Sequence, residues 1–221
     1  MTIMRNLAAA VCFLPLIGLS ALAQEGGPEF PEPLGDAISD FAEALNATEE
    51  GRLGRILAET QEKTGIGIVV VTTKGPGGLN AWDMGPEELG RALFDAWGIG
   101  DEKKQDGILI VIDTKAEEAR ITLGQGYDQV YEERAVKVLS TALLPRLHEA
   151  GLAAGLEAGV LSARDQLILP FLSGEPIGPN DGFPTQRIIT PIRLGIAVIA
   201  VIGLFGLYAW RYQRTAAACP S

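Results

Sequence analysis

The chain has 221 residues, with 18 Lys+Arg against 28 Asp+Glu, a formal net charge of −10, one histidine and two cysteines. That balance repels nucleic acid and anionic lipid and favours divalent cations or basic partners, so it argues against a nucleic-acid role. The single histidine, His148, is placed at a helix end with no cysteine in its domain and no serine partner, which argues against zinc sites and nucleophilic triads.

At the N-terminus, Arg5, the apolar stretch Leu7 to Leu19, and Ala21-Leu22-Ala23 before Gln24 form a secretory signal, residues 1–23, with cleavage expected after Ala23. The apolar stretch is short for a membrane span, and no cysteine follows the cleavage point to carry a lipid anchor. Cys12 leaves with the signal and Cys219 falls in the C-terminal tail, so the external domain is expected to use no disulfide. From residue 24 to residue 187 there are 14 Lys+Arg against 28 Asp+Glu, a charge of −14 on the external part.

Residues 24–35, rich in Pro and Gly, read as a tether. A single domain is expected over 36–172. Ile38, Phe41, Ala42 and Leu45 make one short apolar stripe at helical spacing; Leu53, Ile56 and Leu57 begin another after a cap at Thr48, giving a helix to about Lys63 that Gly65 stops. Ile66 to Thr73 is β-branched and almost wholly apolar, the pattern of a strand covered on both faces. After the Gly/Pro loop Lys74 to Asn80, Gly85-Pro86-Glu87-Glu88 opens a helix with proline in the first turn and acids at its positive end. Leu89, Ala92, Leu93 and Ala96 dock it on a sheet, Trp97 plugs the gap, and Gly98 and Gly100 end it. Ile108 to Ile112 is a second buried strand, parallel to the first through a right-handed crossover. Ala119 to Leu123 alternates as an exposed strand should and is expected antiparallel to it, across the polar turn Asp113 to Glu118.

Two helices close the domain, one over about Glu132 to Leu147 with a kink at Pro145, the other over about Leu152 to Leu169. Residues 173–193 form a semi-extended linker. Leu194 to Trp210 holds no charged residue, lies between Arg193 and Arg211, and has Tyr208, Trp210 and Tyr212 at one end, which predicts a single transmembrane helix over 194–210. Residues 211–221 would then be a short cytoplasmic tail and the domain would be extracytoplasmic, periplasmic where the envelope has two membranes.

Strand polarity locates a candidate site. The Asp101 to Asp106 loop precedes the second buried strand, and the Gly124 to Asp128 loop follows a strand running the other way, so both loops should meet at one end of the sheet. Asp101, Glu102, Asp106, Asp128, Glu132 and Glu133 could converge there, and hard cations such as calcium or magnesium take carboxylate and carbonyl oxygens of this kind. The competing reading is that these acids are solvated surface or helix caps, since no EF-hand or other specific ligand motif is present. Gly124-Gln125-Gly126-Tyr127-Asp128 lacks the third glycine of a dinucleotide fingerprint, and Gly75-Pro76-Gly77-Gly78 lacks the lysine and hydroxyl of a P-loop.

Four ordered blocks resemble the TPM domain family, found in YgcG-like bacterial membrane proteins and in thylakoid-lumen proteins of plants. They are Ser39-Asp40-Phe41-Ala42, Leu93-Phe94-Asp95-Ala96-Trp97-Gly98-Ile99-Gly100, Lys103-Lys104-Gln105-Asp106-Gly107-Ile108-Leu109 and Arg120-Ile121-Thr122-Leu123-Gly124-Gln125-Gly126. The resemblance implies an α/β fold, a three-layer α/β/α sandwich with a small mixed sheet. It also implies divalent-metal binding in the loops, with Asp101, Asp106, Asp128, Glu132 and Asp40 as the expected ligands, and weak acid-phosphatase activity or an accessory role in membrane-complex assembly. Glu132 or Glu133 stands where the family carries Asp, and Asp106 where it commonly carries Asn. The leading expectation is a membrane-tethered module that binds a divalent cation and assists an unidentified membrane or envelope partner. The alternative is a metal-assisted phosphatase, in which Asp40 or Asp106 would be the base.

Overall fold

Two nearly continuous apolar runs set the middle of the sheet. The computed structural model describes residues 29–81 and 84–184; the expected signal, transmembrane helix and tail lie outside them. Among the described residues no helix is long and apolar enough to cross a membrane. Strands β2 (Ile68–Thr73) and β3 (Ile108–Asp113) pair in parallel, Val70 opposite Ile110, and β4 (Glu118–Leu123) pairs antiparallel with β3, Ile110 opposite Ile121. The outer strand β1 (Ile38–Asp40) lies parallel to β2, giving a mixed four-stranded sheet of order β1-β2-β3-β4.

Side chains alternate between two covered faces, which is why the central strands read as unbroken apolar runs. Ile68, Val70, Ile108, Ile110 and Ile112 face a core completed by α1 (Ala47–Thr64), α3 (Gln129–Val138) and α5 (Leu152–Ala163). Val71, Leu109 and Val111 face a smaller core under α2 (Pro86–Trp97), with Leu89, Leu93 and Phe94. Leu53 and Leu93 are fully buried, one in each core, and truncating either to alanine would remove about 2–5 kcal/mol.

The stripe Ile38, Phe41, Ala42, Leu45 is not a helix. Ile38 enters the α1 core, while Phe41 packs on the other side with Trp97, ring centroids 6.3 Å apart. These residues serve two faces of a strand edge rather than one face of a helix. Helix α1 begins slightly earlier than expected: Asn46, not Thr48, is its cap, in a reciprocal box with Glu49. Gly65 ends it at φ 74°, as the sequence predicts.

Each of the two long C-terminal helices contains a π-turn directly ahead of a proline. Leu139–Leu143 is followed by α4 (Leu144–Ala150) with Pro145, and Arg164–Ile168 by α6 (Leu169–Ser173) with Pro170. Proline offers no N–H and crowds the carbonyl one turn back. Widening that turn moves the carbonyl away, so that the amides of Leu144 and Leu169 reach back to Leu139 and Arg164 and helical hydrogen bonding continues through Pro145, where a kink was expected, and likewise ahead of Pro170.

The segment after α6, expected as linker, folds back onto the domain as far as Phe183. Arg134, 2% exposed, holds it: the guanidinium donates to the carbonyls of Gly178 and Asp181 at 2.8 Å and of Gln166 at 2.7 Å, and to the Gln166 side chain. The Phe183 ring covers it at 4.9 Å. Burial lowers the Arg134 pKa, and among the described residues its hydrogen-bond partners include no carboxylate side chain.

Candidate functional site

The end of the sheet where β3 begins and β4 stops is built from backbone in contact with backbone. Gly124 N–H donates to the Gly107 carbonyl at 3.0 Å and Gly126 N–H to the Gln105 carbonyl at 3.0 Å, so the two loops meet as strand polarity predicts. The approach is so close that a Cβ on Gly124 would sit 2.0 Å from the Gln105 carbonyl oxygen, and one on Gly100 would lie 2.4 Å from the Gly107 nitrogen. Glycine is required at both positions because backbone already fills the side-chain space.

Within this lock, Asp101 Oδ1 accepts from the amides of Lys103 and Lys104 at 2.9 and 3.0 Å, closing the loop as a short capped turn. Those two bonds, Lys104 first and then Lys103, lower the Asp101 pKa below the ordinary carboxylate value. Asp106 follows at the root of β3. It is 3% exposed, and its Oδ1 accepts a 3.3 Å bond from the Asp101 amide. Tyr127 donates its hydroxyl to the Asp106 carbonyl at 3.1 Å; burial, and secondarily the Asp106 charge, raises the Tyr127 pKa above its ordinary value.

Beside these loops runs a groove of about 380 Å³, whose walls include Asp36, Gln61, Trp97, Asp101 and Asp106 along with the backbone of Gly65, Gly67, Gly98 and Gly100. Trp97 does more than fill the gap between helix and sheet: its Nε1 donates to the Pro31 carbonyl at 3.0 Å and pins the residues before β1 along this groove. Asp36 stands where the expected tether meets the domain, and Gln61 on the exposed side of α1. Asp36 carries no sequence signal, since only the register of β1 on β2 brings it to this end, whereas Gln61 arrives there because α1 runs directly into β2.

The expected ligands part company. Asp101 and Asp106 share the groove. Asp128 caps α3, accepting from the Val130 amide at 2.9 Å, so that helix starts at Gln129 and not at Glu132. Glu132, one turn further, lies 3.9 Å from the guanidinium of Arg91 on α2. Asp40 is at the carboxyl end of β1, opposite Thr72, which puts it at the far end of the sheet from Asp106. There it caps the turn into α1, accepting from the amides of Ala44 and Leu45 at 3.2 and 2.8 Å and from the Thr72 hydroxyl. Among the described residues no three His, Cys, Asp or Glu side chains gather as a metal cluster. Of the five expected ligands, Asp101 and Asp106 are the two that line one groove, flanked by glycine backbone.

Among curated proteins none matches the chain. Several solved structures resemble it, among them the following three. One is the solution structure of the N-terminal domain of a protein from P. gingivalis, 24% identical, with a TM-score of 0.51, covering 59% of this chain and 80% of that one. The N-terminal domain of the cg2496 protein from Corynebacterium glutamicum is 14% identical at a TM-score of 0.48, covering 62% and 83%. The BA42 protein from the psychrophilic bacterium Bizionia argentinensis is 19% identical at 0.49, covering 56% and 81%. The first of these shares the fold. The TPM domain family model matches residues 38–166, from β1 to the π-turn before α6, a stretch that takes in the glycine lock, Asp101, Asp106 and the Arg134 anchor. The chain belongs to the TPM domain family.

Proposed function

We propose that this chain is a membrane-tethered extracytoplasmic TPM module that takes a divalent cation, calcium or magnesium, beside Asp106 and serves as an accessory or assembly factor of a membrane or envelope complex. One observation carries the cation reading. Asp106 is a carboxylate with 3% exposure whose side chain accepts a single long amide bond, at the wall of a groove that includes the backbone of Gly65, Gly67, Gly98 and Gly100. Its second oxygen has no protein donor among the described residues and is not sealed off from the groove, so it is free to ligate a hard cation there. Asp101 Oδ1 is occupied by two amides, which leaves Oδ2 to share the ion; backbone carbonyls and water would complete an oxygen shell. The tether rests on the apolar run 194–210, and the accessory role on that anchor together with the family.

A phosphatase reading has less support, because no Lys, Arg, His or Ser is among the described residues lining the groove. Calorimetric titration of the full chain in detergent with calcium, then magnesium, tests the cation. Wild type should release or absorb heat at metal concentrations up to about millimolar, the range of weak extracellular sites. Asp106→Asn keeps the acceptor for the Asp101 amide but loses the charge, and should abolish that heat with its melting temperature unchanged in chelator. No heat and no thermal shift in wild type would refute the reading.

A further inference from the structure

The rod formed by α5, its π-turn and α6 carries leucines on its outer side. Leu161, Leu169 and Leu172 are 36, 47 and 51% exposed. Eight residues of unbroken α-helix would set Leu169 about 80° round from Leu161; the residue inserted by the π-turn swings it back onto the same side. The described chain ends beside this rod, at residue 184. Gln166 Nε2 donates to the Gly182 carbonyl at 3.3 Å, one turn before Leu169, and Phe183 is held on Arg134. Between Pro184 and Leu194, where the apolar run begins, the chain can reach about 35 Å even fully extended, roughly one diameter of a domain this size.

We propose that Leu169 and Leu172 rest on the surface of the bilayer that holds the chain's own apolar run 194–210, so that the domain lies on the membrane with the α6 edge down. This rests on the tether reading above. The expected surface is zwitterionic: the nearest charged pair, Arg164 and Asp165, is closed on itself at 2.8 Å, and the external part as a whole carries excess acid, which opposes an anionic headgroup layer. Two leucines bind a membrane feebly from solution. A short tether supplies a high effective concentration, and a weak contact then suffices.

The test uses the full chain with Cys12→Ser and Cys219→Ser in phosphatidylcholine vesicles, carrying a fluorophore on Leu172→Cys, on Glu88→Cys or on Ala200→Cys. Nitroxide lipids labelled near the headgroup or in the chain serve as quenchers. The probe at 172 should lose about half its emission to the headgroup nitroxide, consistent with apolar groups seated shallowly at the interface, while the probe at 88, on the opposite face of the sheet, keeps its emission. The probe at 200 should be quenched by the chain nitroxide. Quenching at 200 without quenching at 172 overturns the docking and leaves the tether standing; quenching at neither overturns both. Emission at 172 that falls with protein density in nitroxide-free vesicles means that a second copy covers the leucines, and also overturns the proposal. Should Leu172→Cys not fold, Leu169→Cys gives the same reading.

Discussion

At the loop end of the sheet, Gly100, Gly107 and Gly124 let three stretches of backbone touch with no side chain between them, whereas the segment after α6 is held by side chains, above all the Arg134 guanidinium on the carbonyls of Gly178 and Asp181, with Lys137 on Asn180 and Gln166 on Gly182 beside it. The first arrangement tolerates no added atom. The second tolerates change along 174–183 as long as carbonyls stay within reach. Rigidity therefore differs across the molecule: the groove carrying Asp101 and Asp106 is fixed by the sheet itself, while the exit toward residue 184 hangs on a replaceable clamp.

Gly124→Ala is the strongest way to break this contrast. Its Cβ would meet the Gln105 carbonyl oxygen at 2.0 Å, and both partners are backbone locked by β3 and β4. A loss of more than about 3 kcal/mol is expected, seen as a fall of roughly 6–12 °C in melting temperature, with the whole domain losing amide protection together. A variant that melts within a degree of wild type would show that the two loops are free to separate.

Arg134→Met should act more locally. Methionine keeps much of the apolar bulk against Phe183 but leaves four acceptors without a donor, at a cost of about 2–4 kcal/mol. Hydrogen exchange should become fast over 174–183 and stay slow in β3. Arg134→Lys, a point donor without the planar fork, should fall between the two. Uniform loss of protection across both regions would mean that the clamp is part of the global core.

That contrast also explains what is legible in the sequence. The glycine lock is readable because its signal is local: Gly98, Gly100, Gly107, Gly124 and Gly126 flank β-branched runs, and strand polarity alone brings the two loops together. The Arg134 clamp is not, since its partners are main-chain carbonyls 32 to 47 residues away, and a carbonyl leaves no mark on residue identity. Strand β1 escapes a sequence reading because three residues are too few to show alternation, and Phe41, Ala42 and Leu45 extend its apolar positions at helical spacing. Of the expected ligands, the two that share one loop, Asp101 and Asp106, stay together. Asp128 is committed as an N-cap, a role for which aspartate is equally suited. Placing Asp40 needs the strand order, which only the register of β1 on β2 supplies.

The smallest expected effect probes the lock from its surface. Asp101 ionises more readily in the folded chain because its carboxylate accepts the Lys104 and Lys103 amides. With the folded pKa below the unfolded value of about 3.9, the charged form adds stability that is fully present above that value and is lost as pH falls through the folded pKa. Asp101→Asn retains the Oδ1 acceptor and removes the titration. Wild type should therefore exceed the variant in urea midpoint at pH 6, and the margin should shrink steadily below pH 4 as the carboxylate protonates. Because the remaining acids titrate alike in both proteins, the difference isolates this one group. A margin that stays constant down to pH 2 would mean that the turn is held by its geometry, as the glycines hold theirs, and not by charge.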